Sequence, residues 1–143
     1  MDFADDVLRL LLAAHTLTRI AALETGSDAP SAQWRTISLL REHGPQRVGD
    51  LAARSRVTQP GMTRLVGHLT EAGLVERTTD AADSRATVVG VTPAGERAYT
   101  EWLSTLRTAL EPRFADLDGE DRAALGRTAD VLSALTLAPE LAR

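Results

Sequence analysis

Apolar side chains recur along most of this chain at the spacing of helices, with one interruption at the spacing of strands. Val7, Leu8, Leu11, Leu12, His15 and Ile20 fall near one stripe, which predicts an amphipathic first helix; the polar run from Thr25 to Pro30 ends it. Ser31 is the expected N-cap of a second helix carrying Trp34, Ile37 and Leu40 inward, and Gly44–Pro45 stops that helix. Val48, Leu51, Ala52 and Ser55 stand at i, i+3, i+4 and i+7 and predict a short third helix. The chain then turns through Arg56–Val57 and restarts at Thr58, another N-cap residue, with Pro60 in the first turn where a missing N–H is harmless. Met62, Leu65, Val66 and Leu69 repeat the spacing in this fourth helix, and Gly73 ends it. Two amphipathic helices a few residues apart, the second one longer, are the pattern of a helix-turn-helix.

After Gly73 the period changes. Leu74–Thr78 and Thr87–Val91 are rich in β-branched residues, and the turn-like Asp80–Ala81–Ala82–Asp83–Ser84 between them predicts a β-hairpin. Thr92–Pro93 caps a long helix running through Tyr99, Trp102, Leu103, Leu106 and Leu110 to about Glu111, with Pro112 beyond it. Asp118 caps a last helix with Leu125, Val131, Leu132 and Leu135 as its apolar residues. The expected fold is mainly α with a small β-hairpin wing: a winged helix-turn-helix between terminal helices. A chain of 143 residues suits one domain, with residues 30–95 as the winged lobe and residues 1–29 and 96–143 as flanking helices. Leu8, Leu11 and Leu12 at one end, with Leu125, Leu132, Leu135 and Leu137 at the other, are too many apolar residues to cover within one lobe. The flanking helices are therefore expected to pair with a second copy, making a homodimer.

Composition removes several kinds of chemistry. Cysteine is absent, which excludes disulfides, thiolate-bound metals and thiol redox sensing. All 16 basic residues are Arg, so neither a Schiff-base lysine nor a phosphate-loop lysine exists here. The longest apolar run, Leu10 to Ala14, is far short of the roughly 20 residues that cross a bilayer. Asp2, Asp5 and Asp6 make the N-terminus acidic where a signal peptide is basic, so the expected location is the cytoplasm, with no membrane partner. His15, His43 and His68 lie on different expected helices without ligand-type neighbours, so no metal and no cofactor are expected. No Ser–His–Asp spacing, nucleophile elbow or Gly-rich phosphate loop is present, and nothing argues for an enzyme.

Charge points the other way from its total. The net charge is −4, yet between residues 30 and 95 eight Arg face six acidic residues, while the flanks hold eight Arg and fourteen acids. Nucleic-acid binding depends on a local basic face, and the middle of the chain is where one can lie. With the apolar residues of the fourth helix turned inward, its opposite face shows Gln59, Pro60, Thr63, Arg64, Gly67 and His68. Gln can pair with adenine, Arg with guanine or phosphate, and the Thr methyl can meet that of thymine. His68 is a candidate phosphate contact, and Gly67 lets the helix approach a groove wall closely. Any solvated surface helix shows such residues too; the hairpin that follows favours DNA.

Here the chain resembles the MarR family of winged-helix regulators over almost its whole length. Ala32–Gln33–Trp34–Arg35 looks like the start of the family's second helix, and Val48–Gly49–Asp50–Leu51–Ala52 resembles its third. Thr58–Gln59–Pro60–Gly61–Met62–Thr63–Arg64–Leu65–Val66 resembles its recognition helix. Gly73–Leu74–Val75–Glu76–Arg77 leads into a wing where Asp80, Asp83 and Arg85, then Thr92 and Gly95, match the family's Asp-x-Arg signature; Ser84 stands where many members carry a second basic residue. The resemblance implies that Thr58, Gln59, Pro60, Thr63, Arg64 and His68 face double-stranded DNA. It implies that Arg85 enters the minor groove and that Asp83 braces the wing.

It also implies a small aromatic or anionic effector, for which His15 and Trp34 are the cleft candidates; the plainer reading makes Trp34 core packing and His15 an interface residue. The expected function is a homodimeric, sequence-specific repressor that binds an inverted-repeat operator and is released by a small molecule. The competing reading is a winged-helix module for protein–protein contact, which a contiguous apolar patch on the outward face would favour.

Overall fold

The computed structural model describes residues 2–26 and 31–137. Residues 27–30, the later part of the polar run expected to end the first helix, and the side chains of Ser31 and Leu137 lie outside the described residues. The elements follow in the expected order: α1 (Phe3–Thr25), α2 (Ser31–His43), α3 (Val48–Ser55), α4 (Gln59–Glu71), β1 (Val75–Thr79), β2 (Thr87–Val91), α5 (Pro93–Leu110), a 3-10 turn (Glu111–Phe114) and α6 (Gly119–Leu137). They form two compact units, Met1–Ala109 and Leu110–Arg143.

The core of the first unit is assembled from the residues that the helical spacing turns inward. Ile37 and Leu40 come from α2, Leu51 and Ala52 from α3, and Met62, Val66 and Leu69 from α4. Val75, Val89 and Tyr99 close it from the hairpin and α5. Leu65, expected inward with them, packs against this core only half-buried.

Two boundaries differ from the sequence expectation. The first strand starts at Val75, because the Leu74 N–H donates to the Leu69 carbonyl (2.9 Å) and still belongs to the end of α4. The other difference is at Pro112, which joins a 3-10 turn continuing directly from α5; a proline in a first turn leaves no hydrogen bond broken.

Gly73 (φ +75°) supplies the left-handed residue that lets the chain leave α4 for the hairpin. Thr92 then ties three elements together. Its hydroxyl donates to the Gly73 carbonyl (2.6 Å) and accepts the Gly95 N–H (3.0 Å), capping α5, while its N–H donates to the Leu74 carbonyl (3.1 Å). Gly95 sits so tightly under the hairpin that a Cβ there would lie 2.0 Å from the Leu74 carbonyl oxygen.

The terminal helices are different. Along α1 only Ala21 is buried, and Val7, Leu8, Leu11 and Leu12 are 49–64% exposed. In the second unit Asp118 caps α6 by accepting the Asp121 N–H (2.8 Å), and Leu125, Val131, Leu132 and Leu135 are all exposed.

Candidate nucleic-acid interface

The helix pair is held by local chemistry. Arg56 takes the left-handed conformation (φ 52°) at the end of α3, and the Val57 N–H returns to the Ala52 carbonyl (3.1 Å), which turns the chain sharply into α4. The Thr58 hydroxyl accepts the Gly61 N–H (3.2 Å), so this residue caps α4, and Pro60 occupies the first turn. With Met62, Val66 and Leu69 buried, α4 presents Gln59, Pro60, Thr63, Arg64 and His68 to solvent. Arg64 has no ion-pair partner among the described residues. The Gln59 amide does not stand away from the surface; its oxygen lies 3.7 Å from where a Cβ on Gly49 would be, alongside the first turn of α3.

The wing is a short antiparallel ladder, from Val75 opposite Val91 to Thr79 opposite Thr87. Gln46, between α2 and α3, adds a third edge by exchanging both backbone hydrogen bonds with Val89 (3.0 and 2.7 Å). At the tip the Asp83 carboxylate accepts the Arg85 N–H (3.0 Å), and its carbonyl accepts the Ala86 N–H (3.0 Å). The Arg85 side chain is 94% exposed and its Nε is 3.7 Å from that carboxylate. Asp83 thus orders the loop, while Arg85 projects from it.

One pair escaped the sequence reading. Arg47, the last residue before α3, donates from Nε (3.0 Å) and Nη2 (2.8 Å) to the Asp80 carboxylate at the far end of the hairpin. The other Asp80 oxygen accepts the Ala82 N–H (3.0 Å). That backbone bond and the Arg47 guanidinium hold the Asp80 carboxyl below the usual carboxylate range, and the same pairing raises Arg47. The partners are 33 residues apart, so no local spacing joins them.

The two cleft candidates fall in different settings. Trp34 stacks on Trp102 (ring centroids 5.1 Å apart, 11° between planes) and tilts against Tyr99, so α2 and α5 meet through aromatic rings. Its indole N–H is buried without a partner among the described residues. Beside it Arg41 lies 4.3 Å over the Tyr99 ring and bonds Glu96 (2.6 Å). His15 is exposed on α1. A cleft of about 630 Å³ in the same unit is lined instead by Glu24, Thr25, Glu101, Ser104, Thr105 and neighbours on α5. Of the other histidines, His68 is exposed in the last turn of α4, and His43 ends α2 beside Glu42 (3.7 Å).

The order of a helix pair followed by a hairpin is shared with known proteins. The model of the MarR family matches residues 27–86. A transcriptional regulator of the HTH type from Mycobacterium bovis, itself uncharacterised, is 32% identical over 134 residues, 88% of this chain and 89% of the relative. The chain belongs to the MarR family. Its fold superposes on a MarR family protein from Bacillus stearothermophilus with a TM-score of 0.74 at 21% identity, over 95% of this chain and 98% of the other. An S. aureus MepR mutant bound to an oligodeoxyribonucleotide gives a TM-score of 0.62 at 20% identity, over 94% and 99%. As a MarR-family member the protein is a transcriptional regulator with a DNA-binding helix-turn-helix, and not an enzyme. Among the described residues, no large apolar side chain is exposed on α4 or the hairpin, so the apolar patch expected of a purely protein-docking module is missing there. No described helix is long and apolar enough to cross a membrane.

Proposed function

We propose that this MarR-family protein is a homodimeric repressor that reads an inverted-repeat operator with α4 in the major groove and Arg85 in the minor groove. The observation that carries the reading is the 94% exposed Arg85 side chain, held only by a loose 3.7 Å pairing with Asp83 on a loop that Asp83 orders, beside a helix whose free face offers Thr63, Arg64 and His68. A narrow minor groove concentrates negative potential and favours Arg. MepR, which shares the fold, is seen bound to an oligodeoxyribonucleotide. The bare apolar faces of α1 and α6 support pairing of two chains through residues 1–29 and 96–143, since stripes such as Leu8, Leu11 and Leu12 or Leu125, Leu132 and Leu135 gain most from a second copy. Two-fold symmetry then sets the half-sites about one helical turn apart, roughly 10 bp. A dimer on such a site blocks a promoter sterically, and a small aromatic or anionic effector releases it by favouring the unbound arrangement.

Sequencing of DNA fragments retained by the purified protein, followed by competition on operator variants at two salt concentrations, tests this. Arg64→Ala should relax preference at one symmetric pair of positions, a major-groove contact discriminating bases by about 1–3 kcal/mol. Arg85→Ala should weaken all sequences evenly and make the salt dependence shallower by roughly one to two units of slope. Wild-type binding by Arg85→Ala at both salts would remove the wing from the interface, and a stable monomer in sedimentation at micromolar concentration would remove the dimer.

A further inference from the structure

We propose that the Arg47–Asp80 ion pair is a strut that fixes the angle of the wing against the recognition helix, so that Arg47 serves operator binding as a positioning residue acting through Asp80 and not as a phosphate contact. The inference rests on the DNA-binding reading above and adds to it which basic residue reads DNA and which aims the reader.

The backbone of Arg47 belongs to the helix-turn-helix: it is extended (φ −68°, ψ 148°) immediately before α3, and its carbonyl accepts the Leu51 N–H (3.0 Å). The Asp80 backbone belongs to the wing, its N–H closing the hairpin on the Ala86 carbonyl (2.9 Å). One Asp80 oxygen takes both Arg47 nitrogens, and the other starts the tip loop through the Ala82 N–H. A single carboxylate therefore joins the helix pair, the end of the ladder and the loop that carries Arg85.

The backbone alone leaves a lever. Gln46 pins the hairpin at Val89, and Arg85 lies four residues beyond that pin. At about 3.3 Å per residue the free arm is at most roughly 13 Å, so a 10° pivot about the pin moves the tip by up to about 2 Å, a third of a minor-groove width. The strut attaches beyond the pin and stops that pivot. Its surroundings suit a brace of this kind, since the Asp80 side chain is 20% exposed and Arg47 47%, whereas the tip pair leaves Arg85 at 94% and its atoms 3.7 Å apart. An exposed pair does little for stability. Its value here is angular, because binding needs Arg85 and α4 to reach adjacent grooves together.

The experiment uses the full chain and an operator fragment that the wild-type protein retains, with Arg47→Ala, Asp80→Ala, Asp80→Asn and the exchange Arg47→Asp/Asp80→Arg. Each single variant should weaken binding roughly three- to tenfold with an unchanged salt slope. Asp80→Ala should weaken binding even though it takes a negative charge off the DNA side, and Asp80→Asn, which keeps an acceptor for Ala82, should do the same while melting close to wild type. The exchange should bind better than either single alanine variant. The proposal is overturned if Arg47→Ala makes the salt slope shallower while Asp80→Ala tightens binding, which is the signature of a phosphate contact. It is equally overturned if Asp80→Asn binds as wild type, or if the exchange binds no better than Arg47→Ala. Failure of the wild type to retain any fragment would instead overturn the DNA-binding reading, and with it the premise of the strut.

Discussion

Replacing Gly95 with alanine should destabilise the winged lobe more than a change of one methyl group suggests. The new Cβ would lie 2.0 Å from the Leu74 carbonyl oxygen, 2.8 Å from Val91 Cγ1 and 3.0 Å from the Leu74 carbonyl carbon. Two of those three atoms are backbone, so no side-chain rotation relieves the clash. The start of α5 and the base of the hairpin must separate by at least about 1 Å, a scale on which packed interiors do not yield freely. Such a shift breaks the Thr92 N–H bond to Leu74 (3.1 Å) and the Thr92 hydroxyl bond to Gly73 (2.6 Å). Overpacking costs about 1–3 kcal/mol and each lost hydrogen bond about 0.5–1.5 kcal/mol, so a loss of roughly 3 kcal/mol is expected. That is a large part of the 5–15 kcal/mol typical of a whole domain. Urea unfolding followed by circular dichroism, at one protein concentration because a dimer's midpoint depends on it, should show the midpoint falling by roughly 1–2 M. A midpoint within about 0.2 M of wild type would refute the reasoning, since α5 could not then be seated on the Leu74 carbonyl.

Gly67→Ala should act in the opposite direction on stability: its Cβ meets nothing within 4 Å, so the α4 helix should gain up to about 1 kcal/mol in melting experiments while operator affinity falls from lost groove approach. Unchanged affinity would show that this turn of α4 does not touch DNA. Because Asp80 is held below its ordinary value near 3.8, its ion pair should be intact above that pH and lost as the pH falls through the depressed native value. The small stability advantage of wild type over Asp80→Asn at neutral pH should therefore shrink as the pH falls through that range, and an advantage that persists undiminished in acid would contradict the assignment. Aromatic acids that release DNA should also change tryptophan emission, because the only two Trp residues stack on each other, and a broad screen giving neither response would leave the regulator without such an effector.

What could be read in the sequence was whatever the chain settles within one or two turns. The i, i+3, i+4, i+7 spacing of Val48 to Ser55 and of Met62 to Leu69 marked α3 and α4, because burial on a helix repeats at that period. Thr58, Thr92 and Asp118 were legible as caps for the same reason: a cap bonds its partner three residues on. Contacts between distant residues of common surface types were not. Arg47 and Asp80 each read as one more solvated charge, and only the folded hairpin brings them together. Gln59 was legible as an outward residue of α4, but its lean against Gly49 depends on how α3 crosses α4, which no spacing encodes. Trp34 could be read as inward, whereas its stacking on Trp102 required α5 to return across α2.

The seat of α5 on the hairpin has a consequence for how such a molecule can be switched. Thr92 and Gly95 lock α5 to the end of α4 and the root of the wing, while the aromatic rings lock it to α2. Hydrogen bonds and ring contacts thus run from the end of α4 and the root of the wing through α5 to α2. If two copies pair as proposed, the gap between two such jaws sets their register on DNA, as in a caliper. Successive bases on one strand are about 3.4 Å apart, so opening the gap by that much shifts one jaw a full base step out of register. Under that proposal a change in one length would switch the molecule without unfolding or remodelling a reader.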